Sequence, residues 1–339
     1  VNALRAATDE ALGVVPFAGH LFRLRADPGF RLTQMQHLLD FAPRTRPAPP
    51  CLCAEATVVR VHRSGELFRD ATARLSRAPA LPVAPLADAR CLRATLGETT
   101  WWRPARDGGG RGVAPDHLYA RDAAGTLHIV LDTRARHGER HLLHVIGSVT
   151  ARCAEHRGWV LFEAAAAAVA DQGVLIVGTS PRETAIVLRA LVDGLRAEPV
   201  GYGRTAVTPD GRGLIGLPLP LSLPVPPQTP GPGLRETAPL RLLLLVRRSA
   251  AAPDNRPPET APLPLPRARA MLAAACRTPD GGWLFPRTWP EQHLRHRAHA
   301  LLDSLPHTVL ALALALSGDA QPAALDSRIT DAVLTALAS

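Results

Sequence analysis

The chain is 339 residues long, and all 39 residues counted as Lys or Arg are arginine, set against 30 Asp and Glu for a formal net charge of +9. A chain without lysine has no ε-amine, which excludes a Schiff-base lysine, a lysine general base and the phosphate-binding lysine of a standard P-loop. The length suggests about two domains, and the high alanine, arginine and proline content reads as a compositional bias, so the net charge is not taken as a signal for nucleic-acid binding.

Residues 1 to 45 hold short mixed patterns around Phe17, Phe22 and Phe30, and Pro47, Pro49 and Pro50 then interrupt regular structure. Asp9 and Glu10 interrupt the first 19 residues, which lack the basic-then-apolar order of a secretory signal. The segment 54–62 is rich in β-branched residues and partly alternates, which predicts a strand. A Pro-rich connection follows, and 91–102 leads into a Gly-rich loop at 107–112. Residues 117–121 and 126–132, joined by a turn at 123–125, predict a β-hairpin. Residues 1–139 are therefore expected to form a smaller mixed α+β domain.

From 140 to 156, Leu142, Leu143, Ile146 and Val149 recur at helical spacing and predict a helix. A short strand at 159–162, an alanine run to 170, a turn at 171–173 and a buried strand at 173–178 come next. Residues 179–183 read as a loop, and 184–195 as a helix with Ile186, Val187, Ala190 and Leu191 on one face. A strand, a tight loop and a helix N-terminus in that order place free amides beside a positive dipole end, which is anion-binding architecture. Beyond it are a hairpin-like pair at 205–208 and 214–217, a Pro-rich loop at 218–233 and a buried strand at 240–246. A second Pro-rich loop at 252–266 and helices at 267–276, 290–304, 307–316 and 326–337 close the chain. The apolar stretch 159–178 is broken by Glu163 and Asp171, and 307–318 is too short to span a bilayer, so no membrane partner is expected.

The five cysteines form no CxxC and read as reduced thiols of a cytoplasmic protein, Cys51 and Cys53 among them. His293, His296 and His299, crowded by Arg295 and Arg297, read as a solvated basic helix face. His137, His141 and His144, with Arg134, Arg136 and Arg140 around them, also read as a basic surface rather than a zinc site. No metal site is expected. Trp101 and Trp102 read as packing residues.

The runs GWVLFEAAAAAV from Gly158, GVLIVGTSPRETA from Gly173, VGYGRTAVTPDG from Val200 and GLPLPL from Gly216 together resemble the HPr kinase-like P-loop family, which includes bacterial serine kinases and kinases of peptide natural-product clusters. The match covers roughly residues 140–250 in order and spacing. It implies an HPr kinase-like α/β domain over 140–339. In the family's loop, GxxxxGK[ST], the first glycine falls on Gly178, the second on Glu183, the lysine on Thr184 and the metal-binding hydroxyl on Ala185. Glu163 stands in place of the family's histidine, and Tyr202-Gly203 in place of its paired acidic residues.

The resemblance thus implies a catalytically degenerate member, a pseudokinase that binds or scaffolds a peptide or a biosynthetic partner protein, with no cofactor expected. Its degenerate phosphate loop comprises Gly178, Ser180, Arg182 and Thr184, and Glu183 would repel phosphate from the amide cradle. The rival reading is an active enzyme reusing the cleft. That would be either an ATP- and magnesium-dependent serine or peptide phosphotransferase with Arg182 in the lysine's role, or an acid/base catalyst lined by Glu163, Glu183, Tyr202 and Arg204.

Overall fold

A computed structural model describes residues 10–17, 20–28, 30, 56–86, 89–104, 115–136, 138–217, 235–248, 259–276, 291–305, 310–316 and 322–338. It is a mixed α/β structure with two mixed sheets and, among the described residues, six helices. Two compact units divide the chain. One comprises Val1–Ala42, Pro49–Arg152 and Pro279–Arg287, and the other Pro43–Ala48, Cys153–Thr278 and Thr288–Ser339. Among the described residues, no helix is long and apolar enough to cross a membrane.

The first unit is built on an eight-stranded sheet. Its strands are β1 (Glu10–Phe17), β2 (His20–Ala26), β3 (Thr57–Arg63), β4 (Leu81–Leu86), β5 (Ala89–Leu96), β6 (Thr99–Pro104), β7 (His117–Arg121) and β8 (Leu127–Leu131), in the spatial order β1-β2-β3-β8-β7-β6-β5-β4. The strand expected near 54–62 and the hairpin at 117–132 are present as β3 and β7–β8. The first two strands lie where only short mixed patterns were legible, yet β2 alternates strictly between buried and exposed positions. The Pro-rich connection holds a helix, α1 (Gly65–Arg77). Ser64 caps it by accepting from the Leu67 N–H at 3.2 Å, and Arg74 and Arg77 close its last turn, where the dipole favours cations. Phe68, Ala71 and Leu75 of α1 pack on Trp101, Leu118, Ala120 and Val130 of the sheet. The helix expected at 140–156 is α2 (Gly138–His156), and the two units divide within it, between Arg152 and Cys153.

In the second unit the long strand β15 (Thr237–Arg248) is the spine. Its start pairs with β14 (Gly213–Gly216), and its remainder lies parallel to β11 (Gln172–Gly178) on one side and to β17 (Leu310–Leu316) on the other. Around these run β9 (Val160–Phe162), β10 (Ala165–Val169), β12 (Glu198–Gly201), β13 (Thr205–Val207) and β16 (Glu259–Pro262). The alanine run is a strand in spite of alanine's helix preference, because it pairs with β11 and β12 and both of its faces are covered. Ala164, Ala166 and Ala168 join Leu175, Val177, Leu243 and Leu245 beneath α4 (Leu265–Ala275) and α5 (Glu291–Ser304). Ala165, Ala167 and Val169 join Ile176, Leu242 and Leu244 beneath α3 (Pro181–Leu195) and α6 (Pro322–Ala338). A two-residue turn with positive φ at Ala170 (46°) and Asp171 (67°) returns β10 into β11, the geometry that matches strand twist.

Three expectations are corrected here. Residues 310–316 form a strand, not a helix: LALALAL alternates with period two, and seven parallel partners along β15 stabilise it. Residues 259–262 lie in the supposed loop but pair antiparallel with β17 as β16. Helix α3 begins at Pro181, not Thr184, with consequences for the loop before it. The Gly-rich loop at 107–112, Cys51 and Cys53, and the Pro-rich loop at 218–233 lie outside the described residues. Cys91, Cys153 and Cys276 are not in disulfides.

Candidate functional site

The strand, turn and helix singled out from sequence are β11, Thr179-Ser180 and α3. Pro181 fills the first helical position, where its missing N–H costs nothing, and Ser180 is the N-cap. The result is a reciprocal capping box: the Glu183 N–H donates to Ser180 Oγ, while the Glu183 side chain turns back over the start of the helix. One carboxylate oxygen, Oε2, accepts from the Thr179 N–H at 2.8 Å, the Thr179 hydroxyl at 2.8 Å and the Ser180 N–H at 3.2 Å. These are amides that a bound anion would take at a helix N-terminus. Glu183 is only 3% exposed, so the protein's own carboxylate fills the cradle.

The other loop residues follow from this packing. Arg182 points to solvent and Thr184 is buried. Gly178 leaves room for the glutamate: a Cβ there would meet Glu183 Oε2 and Cβ at 3.2 Å and Thr184 Cγ2 at 3.1 Å. Glu163 lies exposed between β9 and β10, its backbone N–H donating to the Ala275 carbonyl at 2.9 Å. It therefore sits in an environment unlike that of Glu183, whose carboxylate is engaged by its own loop. Tyr202 packs against the apolar layer under α3, and Arg204 is half-buried between β12 and β13.

The first unit carries two histidine clusters, on opposite faces of its sheet as strand alternation requires. On the α1 face, four side chains form a chain of hydrogen bonds. Asp27 Oδ1 lies 3.3 Å from His62 Nδ1, His62 Nε2 lies 3.1 Å from His128 Nδ1, and His128 Nε2 lies 3.2 Å from Asp122 Oδ2. Burial pushes His128 down to about 4, against the opposing hydrogen bond to Asp122, with His62 and Arg60 lowering it further. His128 thus stays neutral at neutral pH.

On the α2 face, Asp116, just before β7, and His117 and Tyr119 of β7 meet His141 of α2. His117 Nδ1 lies 2.9 Å from Asp116 Oδ1, and His141 Nε2 lies 3.9 Å from the same oxygen. The two rings stack with centroids 3.7 Å apart, and Tyr119 Oη lies 3.0 Å from His141 Nδ1. His141 is therefore a packed, half-buried group and not part of a basic surface, which corrects its reading from sequence. His137 lies outside the described residues. His293, His296 and His299 are all exposed on α5. Sequence reasoning missed Asp116 and His117, although the spacing of His117 and Tyr119 on one strand already placed them on a common face.

Neither a scan against protein-family models nor a search of curated proteins returns a match to this chain.

Proposed function

We propose that the chain is a catalytically degenerate HPr kinase-like protein, a pseudokinase that binds or scaffolds a peptide or biosynthetic partner protein and needs no nucleotide. The observation that carries this reading is the Glu183 carboxylate, which accepts three hydrogen bonds from the loop that would otherwise hold phosphate. A polyphosphate would have to displace a buried anion, and the chain has no lysine to offset the charge. The absence of a hydroxyl at Ala185, where the resemblance puts a magnesium ligand, supports the same conclusion.

The test is a thermal-shift series with ATP or GTP and magnesium. A nucleotide held about 100-fold below its concentration would stabilise the fold by about 2.7 kcal/mol, a displacement of several degrees. No displacement is expected. Glu183→Ala is expected to lower stability by about 1 kcal/mol through loss of the cap, again without nucleotide-dependent stabilisation. Magnesium-dependent stabilisation of the wild-type chain, or phosphate transfer to a peptide that is lost in Arg182→Ala, would overturn the proposal.

A further inference from the structure

The Asp116, His117 and His141 cluster has the make-up of a metal site. Each residue offers one ligand atom, and these atoms all lie within 4.8 Å of one another. Zinc bonds of about 2.0–2.1 Å in a tetrahedral site hold ligand atoms roughly 3.4 Å apart. The His117–Asp116 separation of 2.9 Å would open slightly to reach that value, and the His141–Asp116 separation of 3.9 Å would close slightly.

A simple Asp–His ion pair requires one ring. Here a second ring, from a helix 24 residues further along the chain, is stacked on the first and directs its own Nε2 to the same carboxylate oxygen. Tyr119, 1% exposed, sets its orientation by holding Nδ1 at 3.0 Å, so that with an ion bound Nδ1–H would donate to the phenol oxygen and the Nε2 lone pair would serve the ion.

We propose that Asp116, His117 and His141 bind a divalent first-row transition ion, zinc in the first instance, with Tyr119 as a positioning residue for His141. Two imidazoles and one carboxylate suit zinc or cobalt(II) better than magnesium or calcium, which prefer all-oxygen sites. The ion takes the place of the proton between His117 and Asp116: the neutral ring moves its single proton from Nδ1 to Nε2 and leaves the Nδ1 lone pair to the ion. Three protein ligands leave a coordination position for water or for an anionic group of a partner. This inference concerns the first unit and is independent of the reading given to Glu183.

The experiment uses the full chain, freed of any affinity tag and stripped with EDTA. Zinc affinity is measured by competition with a chromophoric chelator, and cobalt(II) is titrated with detection of its visible d–d bands. One equivalent of zinc is expected to bind with micromolar affinity or tighter, with cobalt bands typical of four or five ligands. Asp116→Asn and His117→Ala are each expected to weaken binding at least about tenfold, and Tyr119→Phe by about 10- to 100-fold. His293→Ala on the exposed face of α5 should change nothing. Asp116 and His117 are the more exposed ligands, so their variants serve even where His141→Ala fails to fold. Lack of saturable binding, or unchanged affinity in an Asp116→Asn/His117→Ala double variant whose circular dichroism matches the wild type, would overturn the proposal.

Discussion

Gly216→Ala is expected to destabilise the second unit by about 3 kcal/mol or more, or to prevent its folding. Gly216 ends β14, pairs with Thr205 of β13 and donates its N–H to the Glu236 carbonyl at 3.0 Å. A Cβ at this position would overlap the carbonyl oxygen of Val200 in β12 and lie 2.8 Å from the carbonyl carbon. Both obstacles are backbone, so no rotamer change relieves them and a strand must shift. Overpacking of a well-filled core typically costs about 1–3 kcal/mol, and a clash with main chain belongs at or above the top of that range. Gly125 in the β7–β8 turn provides the contrast. It has no atom within 4 Å of a built Cβ but adopts φ of 82°, so Gly125→Ala is expected to cost only about 1–2 kcal/mol of backbone strain. Urea midpoints followed by circular dichroism decide the matter. A Gly216→Ala midpoint no lower than that of Gly125→Ala would show that β12 and β14 do not approach this closely.

Much of the second unit was legible because its elements are governed by local periodicity. GVLIVG and the LLLLV that follows Arg241 are apolar at every position and too short for helices, and each lies in a strand buried on both faces. The alanine run and LALALAL were harder for a common reason. Alanine fits either backbone, and what places these segments in the sheet is partner strands and covering helices contributed from far along the chain. The start of α3 is a different case. Ser180-Pro-Arg-Glu183 carries a serine cap, a proline at the first helical position and a glutamate three residues after the cap, all of them helix-start signals. Aligning the segment with a phosphate loop hid that simpler reading, in which Glu183 satisfies its own helix terminus.

The histidine clusters of the first unit show where sequence runs out. His62 and His128 are 66 residues apart and meet because β3 and β8 pair in parallel, a long-range register that no local pattern announces. His117 and His141 meet because a helix returns over the strand that precedes it. In the sequence His141 is surrounded by arginines, which suggests a charged surface; in the fold Arg134 and Arg136 precede the helix, Arg140 is exposed, and His141 is half-buried against β7. Residue type was visible throughout, whereas the chemistry depends on topology.

Acidification between about pH 6.5 and pH 4 is expected to weaken the first unit by roughly 3 kcal/mol. His128 is 1% exposed and held down to about 4 from an ordinary value of 6.5, chiefly by burial. The folded state therefore refuses a proton that the unfolded chain accepts. The stabilisation is complete above 6.5, declines as the pH falls, and is exhausted near 4, where the folded protein also takes up the proton. Each pH unit of that window corresponds to about 1.4 kcal/mol, which sets the upper bound. The surroundings give the structural reason: a charge on His128 would be buried, with His62 Nε2 at 3.1 Å and Arg60 nearby both opposing it. His141, lowered to about 3 by burial and by His117, acts in the same direction. His128→Asn should therefore reduce the slope of stability against pH without abolishing it. At pH 7.5 it should cost about 1–3 kcal/mol, because the shorter amide cannot reach both Asp122 and His62, which lie on opposite ring nitrogens of His128. Urea midpoints at stepped pH measure the slope, and imidazole ¹⁵N shifts of the wild-type protein report His128 directly. A ring that titrates near 6.5, or a midpoint that stays level down to pH 4, would contradict a His128 held neutral by burial.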